Sequence, residues 1–598
     1  MGDAYGATIE RIMAQDGDKS RLGMAALMWI SHAERPFKAD ELCHALSVEL
    51  GLTEIDASNV PSMSTLLGCC QGLITVDKKA STVRLIHFTL KEYLSARPDI
   101  FDKPHSAMAE ICLTYLNSKQ VKALSAYPHP EMPDAPFLEY CSLYWGVHAK
   151  KELSDNARSL ALELFRDYDG HISTKWLLKH AGYLDLRKTS TSLPFSGLHC
   201  ASFFGIVELV AALIEMECYD INAGDFWGYA PLTWAARNGH WGAVEILAER
   251  EVINPNKPDK YGRTPLSHAS SRGHEKVVRI LLRREGINPE KPDNKGRTPL
   301  ACAAWNGHEG VVKMLVGQAA VNPNRPDKSG RTPLSHAAGR GHKEVVEILL
   351  GQEQVSRDKA DKDGRTPLSY AAQYGNEGAV RALLGWQAVS PDKQDIGVQT
   401  QLSCTSCDGL EGAAKILPRR EAVDSNKADT SCQTPLWHAA SSGHEGVVKI
   451  LLGQQEVDPN KPNNAGQTPL TLAAWNGHEG AVKTLLGRAE IDPDRSDNYG
   501  RTPLLYAARH GHGGAVRMLL EREEVDPNKP DNHGQTPLTS ASRWGHQTVV
   551  ALLEAHQAAT CSPILRPKRR RLEETPSIPS FSERVADGSA PGYHPSNR

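Results

Sequence analysis

The stretch Thr468–Arg501 reads TPLTLAAWNGHEGAVKTLLGRAEIDPDRSDNYGR, and TPL returns at Thr502. Stepping by 34 residues finds matching starts at Ser196, Ala230, Thr264, Thr298, Thr332, Thr366, Thr400, Thr434, Thr468, Thr502 and Thr536, 11 units without a slip. A fixed period of about 20–50 residues marks a stacked-repeat architecture. Within the unit, Thr468 reads as a helix N-cap and Pro469 as the first helical residue, where a missing N–H costs nothing. Ala473 and Ala474 are small enough for close helix approach. Gly477 ends the helix by taking a left-handed backbone angle. Glu479 opens a second helix at the positive end of its dipole, with Ala481, Val482, Leu485 and Leu486 as its apolar face. IDPDRSDNYGR, rich in Asp, Pro, Asn and Gly, is turn chemistry. Each unit therefore predicts helix, tight turn, helix and a long finger.

The units also show which positions the stack requires. Gly stands tenth in all 11, from Gly205 to Gly545, and Leu third, from Leu198 to Leu538; Pro is second in 9 and His follows the Gly in 8. One unit cannot bury its apolar stripe alone, but stacked neighbours can, so the fold class is a mainly α solenoid. The pattern TPLxxAAxxGHxxVVxxLL with an Asp-x-x-Gly finger resembles the ankyrin repeat across residues 191–558. These units are one residue longer than the usual ankyrin period of about 33, with the extra residue in the finger near Asp492-Pro493-Asp494. The resemblance implies a groove, lined by inner helices and fingers, that binds a protein partner.

Composition narrows the function classes. Formal charge is −3 and the pI is near 6.8, so the whole chain carries no electrostatic bias toward nucleic acid or anionic membrane. The longest apolar run, Leu22–Ile30, is far short of a spanning helix. No secretory signal opens the chain, and Gly6 stands where a myristoylation site carries Ser or Thr. Scattered cysteines, 12 in all, fit a reducing interior. The expectation is an intracellular protein in the cytoplasm, with the nucleus open to it through the basic tail described below.

Residues 1–100 read differently. Helical periodicity covers Arg21–Ala33, Ala39–Leu50 and Ser62–Gln71; strands are predicted at Leu73–Val76 and Val83–Ile86, and a last helix at Phe88–Leu94. That order predicts a winged helix. The string WISHAERPFKADELCHAL…LITVDKKASTVRLIHFTLKEYL resembles the winged-helix segment that follows the NACHT nucleotide-binding domain in fungal NLR-like (STAND) receptors. The resemblance places His87 near a histidine that touches nucleotide in related switch proteins; packing at a strand–helix junction is the plainer role. A phosphate-binding loop needs Gly-Lys at the end of G-x-x-x-x-G-K-[ST], and the chain contains no Gly-Lys pair. No cofactor is therefore expected. Residues 101–190 predict linker helices at Ser106–Leu116, Pro136–Lys150 and Asn156–Phe165.

The unit beginning at Thr400 is a weak joint. Gln401 replaces Pro, Thr405-Ser406 replace Ala-Ala, Leu410 replaces His, and Pro418 falls inside the second helix. Residues 559–598, rich in Pro, Ser and Arg, predict a disordered tail. Within it Lys568, Arg569, Arg570 and Arg571 form a candidate nuclear-import run.

Cys404-x-x-Cys407 has no second ligand pair at zinc spacing, and the Gly-His pairs stand one per layer at a helix-stop turn, where imidazole bonds backbone; no metal site is predicted. No nucleophile–base–orienter set is present, so no catalytic residues and no small-molecule substrate are expected. Positions eight and nine of the unit vary most and carry Trp305, Tyr374, Trp475 and Trp544, interspersed with Arg237, Arg340, Arg509 and Arg543; finger tips add Tyr261 and Tyr499. Aromatics and Arg dominate binding hot spots, which makes these six aromatics the candidate protein-binding residues. The reading is a non-enzymatic recognition module of NLR-like type. Two alternatives stay open: the C-terminal portion of a signalling ATPase whose nucleotide-binding half lies upstream of Met1, and a nuclear DNA-associated regulator. The third helix of the wing region has few basic residues, which disfavours nucleic acid as a partner.

Overall fold

A computed structural model describes residues 2–77, 79–124, 135–182, 194–395, 399–420 and 423–561. It forms two compact units, Met1–Asp492 and Pro493–Arg598. Lys568–Arg571 and the predicted disordered tail beyond Cys561 lie outside the described residues, whereas 559–561, read as tail, end the last helix because its helical turns run on past the repeat pattern.

The first unit opens with α1 (Gly2–Met13), α2 (Gly17–His32), β1 (Phe37–Lys38), α3 (Ala39–Ser47), α4 (Met63–Cys69), β2 (Ile74–Asp77), β3 (Thr82–Leu85) and α5 (Phe88–Ser95). The strands are antiparallel in the order β1-β3-β2, with Val83 between Phe37 and Val76. This is a winged helix. It adds α1 and the two-residue β1 to the elements expected from sequence. Beyond it come α6 (Pro104–Asn117), α7 (Lys119–Leu124), α8 (Leu138–Lys151), α9 (Asp155–Arg166) and α10 (Ile172–His180). Here α7 and α10 are additions to the three helices read from apolar spacing.

Aromatic packing ties these layers together. Trp29 on α2 is fully buried, with Phe37 5.5 Å, Phe137 5.6 Å and Tyr140 6.0 Å from it, ring centre to ring centre. Arg35 grips the buried Glu41 through two 2.7 Å hydrogen bonds and lies over the Tyr140 ring. On α8, His148 Nε2 is 2.9 Å from the Tyr140 hydroxyl and its Nδ1 is 2.9 Å from His105 Nδ1. One turn away, Trp145 meets Phe165 and Phe204, so α8 also packs on the first helix pair of the array.

In the first unit the pairs run from Gly197–Phe204 with Val207–Glu215 to Pro469–Asn476 with Glu479–Leu486. Thr468 Oγ1 accepts from the Thr471 N–H, and Gly477 caps its helix at φ 73°, as expected from the sequence. Each Gly-His histidine in turn donates from Nε2 to a carbonyl of the preceding layer: His274 to Arg237, His308 to Ser271 and His342 to Trp305, at 3.0–3.1 Å. The preceding glycine is needed for room as well as for its angle. A Cβ on Gly307 would stand 2.6 Å from His342 Nδ1. Fingers are tied similarly: Asn256 donates to the Gly286 carbonyl and accepts from the Asn288 N–H, while Lys291 reaches the Asn256 carbonyl. The N-P-N-K-P-D finger is thus a side-chain ladder from one layer to the next.

The second unit repeats the motif in Pro503–His510 with Gly513–Leu520 and Pro537–Arg543 with Gln547–Cys561. Its staple, His546 Nε2 to the Arg509 carbonyl, measures 3.0 Å.

The joint at Thr400 keeps its helices but shortens the second to Glu411–Ile416, followed by a single tight turn, Leu417–Arg419, around Pro418. Thr405 and Ser406 bury hydroxyls, yet both donate to the Leu402 carbonyl, so the expected cost of unpartnered hydroxyls is offset locally. Gln401 Nε2 reaches the Lys393 carbonyl and the Ser369 hydroxyl, while its Oε1 is buried without a partner. Leu410 holds the staple position without a polar group.

Two outcomes are expected. Leu410→His restores a donor toward the Gln373 carbonyl; it should raise the urea midpoint by about 1 kcal/mol of stability and slow amide exchange across Glu411–Ile416. The second concerns acid. Burial holds His148 down at about 3 and His171, His199 and His268 at about 4, against an ordinary 6.5. A histidine lowered in the folded state contributes stability that is complete above its ordinary value and is lost as pH falls toward the folded one, at about 1.4 kcal/mol per pH unit. Urea midpoints should drop steeply from pH 6.5 toward 4.5, and His148→Gln should flatten that slope by close to one proton.

Candidate functional site

A finger aspartate organises most layers of the array, with Asn463 in its place before Thr468. Asp327 Oδ1 accepts from the backbone N–H of Ser329 and Arg331 at 2.9 Å, and its Oδ2 takes Arg331 Nε at 3.0 Å. The residue nine positions later, on the inner helix, is drawn to the same carboxylate: His268 to Asp259, Tyr370 to Asp361, Trp234 to Asp225. In the second unit Tyr506 reaches Asp497 in the same way. Local partners decide the charge state. Burial pushes Asp225 up to about 6, whereas at Asp327 the histidine, the backbone N–H groups and Arg331 outweigh burial and hold the carboxyl well below its usual range.

Between the layers of Thr298, Thr332 and Thr366 this pattern opens into a cavity of about 240 Å³. Trp305 and Tyr374 stand at its sides, Tyr370 and His336 beneath, and Arg331 and Arg340 at its rim. Gly339 creates the space. It is eighth in its unit, where Arg237, Trp305 and Trp475 stand in others, and its missing side chain leaves the hollow. Arg340 lies exposed with its guanidinium carbon 4.1 Å from the centre of the Trp305 ring, a cation–π contact, and forms no ion pair among the described residues.

His336 differs from its counterparts. In the layer of Thr264, His268 Nε2 bonds Asp259 at 3.0 Å and Arg237 caps its Nδ1 at 3.1 Å. At His336, Trp305 replaces that arginine and sets its ring edge-on, 5.2 Å away. His336 Nε2 lies 3.2 Å from Asp327 Oδ2 but off a good hydrogen-bond line, and Nδ1 has no partner. Its ring is 1% exposed, and burial keeps it below the ordinary histidine value.

Of the residues singled out from sequence, Trp305 and Tyr374 line this one cavity, with Tyr374 61% exposed. Tyr261 is exposed on its finger with Arg263 over its ring, and Trp475 is half-buried on Pro469–Asn476. Tyr499, beside Arg501, and Trp544, beside Arg509, are exposed in the second unit. Arg331, His336, Gly339 and Tyr370 were missed. Only Gly339 gave a signal, a small residue where large ones recur.

Elsewhere, His87 accepts from the Thr89 N–H at the start of α5 and borders a second cavity of about 400 Å³ with exposed Phe88. Helix α4 carries neither Lys nor Arg. Burial pushes Cys404 up to about 12, and Cys407 is exposed. No helix among the described residues is long and apolar enough to cross a membrane.

Residues 251–327, 318–395, 404–497 and 489–562 match the family described as ankyrin repeats (3 copies). Residues 9–103 match the winged helix domain of GPI inositol-deacylase. Nothing among the curated proteins matches the chain.

Asp327 and Tyr374 should separate scaffold from surface. Asp327→Ala strips two backbone N–H groups and Arg331 of their acceptor and should cost about 2–4 kcal/mol, read as a lower thermal midpoint. Tyr374→Ala should change it by no more than about 0.5 kcal/mol.

Proposed function

The chain belongs to the ankyrin-repeat family, and from that premise we propose that it is a non-enzymatic recognition protein of NLR-like type that grips a partner protein along the face built by its inner helices and fingers. The observation that carries this reading is the cavity at Trp305 and Tyr374. Large aromatics and an arginine without an ion pair are held there at the surface by the bonded finger and inner-helix scaffold. A pre-formed surface of this kind loses little entropy on binding, and Trp, Tyr and Arg supply most of the energy in protein interfaces. The winged helix supports the NLR-like part, because that domain stands between a nucleotide-binding motor and a sensing array in the receptors it resembles. The cytoplasm and nucleus, and an import role for Lys568–Arg571, belong to the same proposal.

Affinity capture with the full chain tests it. Proteins retained by wild type should be lost with Trp305→Ala combined with Tyr374→Ala, and kept with Lys313→Ala combined with Glu347→Ala, exposed positions on the second helices. Equal retention by both variants would refute the reading.

A further inference from the structure

Resting on that reading of the array face, we propose that the cavity between Trp305 and Tyr374 is a recognition subsite for one carboxylate side chain, Asp or Glu, carried by an extended acidic segment of a partner protein. Three independent features converge on it.

The first is the vacancy of side-chain volume at Gly339. A Cβ there would meet Tyr370 at 3.4 Å, ordinary contact distance, so the fold does not require glycine at this place. The hollow is a property of this layer and not of the repeat.

The second is charge. Along this edge Lys295, Lys328 and Lys362 are exposed on successive fingers, with Asp363 as the opposing charge. The finger carboxylates Asp293, Asp327 and Asp361 are buried and already bonded. The field at the mouth of the cavity therefore favours an anion, although the whole chain is slightly acidic. Of the two guanidinium groups at the rim, Arg331 is held 2.9 Å from Asp327, leaving Arg340 as the one to engage a ligand. That ratio selects a monoanion. A phosphate dianion would need a second unengaged cation and would set its extra charge toward Asp327.

The third is His336, which lines the cavity with a buried ring and an unpartnered Nδ1. Its counterpart His268 has that atom capped by Arg237. With Nε2 facing Asp327, Nδ1 is the acceptor, as His268 Nδ1 is toward Arg237, so the group that would satisfy it is a backbone N–H of the incoming extended segment, not the carboxylate itself. The aliphatic stem of Glu or Asp would lie against Trp305 and Tyr374, with its carboxylate accepting from the in-plane N–H groups of Arg340.

The test uses the full-length protein and randomised dodecapeptide pools, each with its central residue fixed as Glu, Asp, Gln, Phe, Lys or phosphoserine. Wild type should retain the Glu or Asp pool about tenfold over the Gln pool, the size of a charge-assisted hydrogen bond. Arg340→Gln should erase that preference, Arg340→Glu should transfer it to the Lys pool, and Gly339→Trp should abolish it by filling the cavity. Gly339→Ala, which keeps the hollow, should retain it and controls for folding. Equal retention of Glu and Gln pools by wild type, or a preference for phosphoserine, overturns the carboxylate assignment. An acidic preference that survives Gly339→Trp moves binding elsewhere on the array, so the subsite falls while the array-face reading stands. If no pool is retained by wild type, both fall.

Discussion

A helix pair with the apolar content of Pro469–Leu486 cannot shield its own core, and every other feature of the array follows from that shortfall. Leu485, Ala481 and Val482 become fully buried in the array. Each fully buried aliphatic contributes about 1.5–3 kcal/mol, but only if the layers seat in register. The histidine staple enforces register at one edge and the asparagine–lysine ladder at the other. Both use side chains to satisfy backbone groups that the turns leave open, so polar bonding and apolar burial specify the same stacking.

This double requirement explains what could be read from sequence. Thr and Pro at the start of each inner helix, Gly at its end and the following His recur because one cap, one left-handed angle and one staple are needed per layer. Recurrence made them visible, and Thr468, Gly477 and the Gly-His histidines do what their positions implied. The aspartate knot was not visible, because its inner-helix partner changes identity: His268, Tyr370, Trp234 and Tyr506 all serve. β1 escaped because two residues carry no alternation, and α7 because six residues are too few to show a helical period. At Thr400 the sequence showed the losses but not the local repair by Thr405 and Ser406, which is a matter of rotamer rather than residue type.

The amino-terminal layers extend the same logic by different means. Among the described residues no repeat continues past the first helix pair, so its exposed side is closed by α8 and α9, with Trp145 against Phe204 and Phe165 against Gly197. On its other face α8 offers Tyr140 to the winged helix and His148 to His105 on α6. The winged helix, the linker helices and the first repeats therefore share one packed body. Tyr140, fully buried, accepts from the Glu34 N–H and pairs with His148 on its own helix, which ties α8 to the winged helix.

A solenoid whose structural positions are fixed in every layer concentrates its individuality where the layer makes no demand. Side chains at positions eight and nine enter neither the seam nor the staple, which takes only the backbone carbonyl of position eight, and there Trp305, Gly339, Arg340 and Tyr374 differ from their equivalents. The cavity they form is a consequence of three adjacent departures, a large ring, an absent side chain and another large ring, on a backbone that does not move to accommodate them. Trp305 in turn displaces the arginine that caps the buried histidine elsewhere, so a single substitution on the surface alters hydrogen bonding in the layer beneath. In the proposed recognition role, specificity arises by subtraction from a regular lattice, and the place to look for it is wherever the lattice leaves a polar atom or a ring without its usual neighbour.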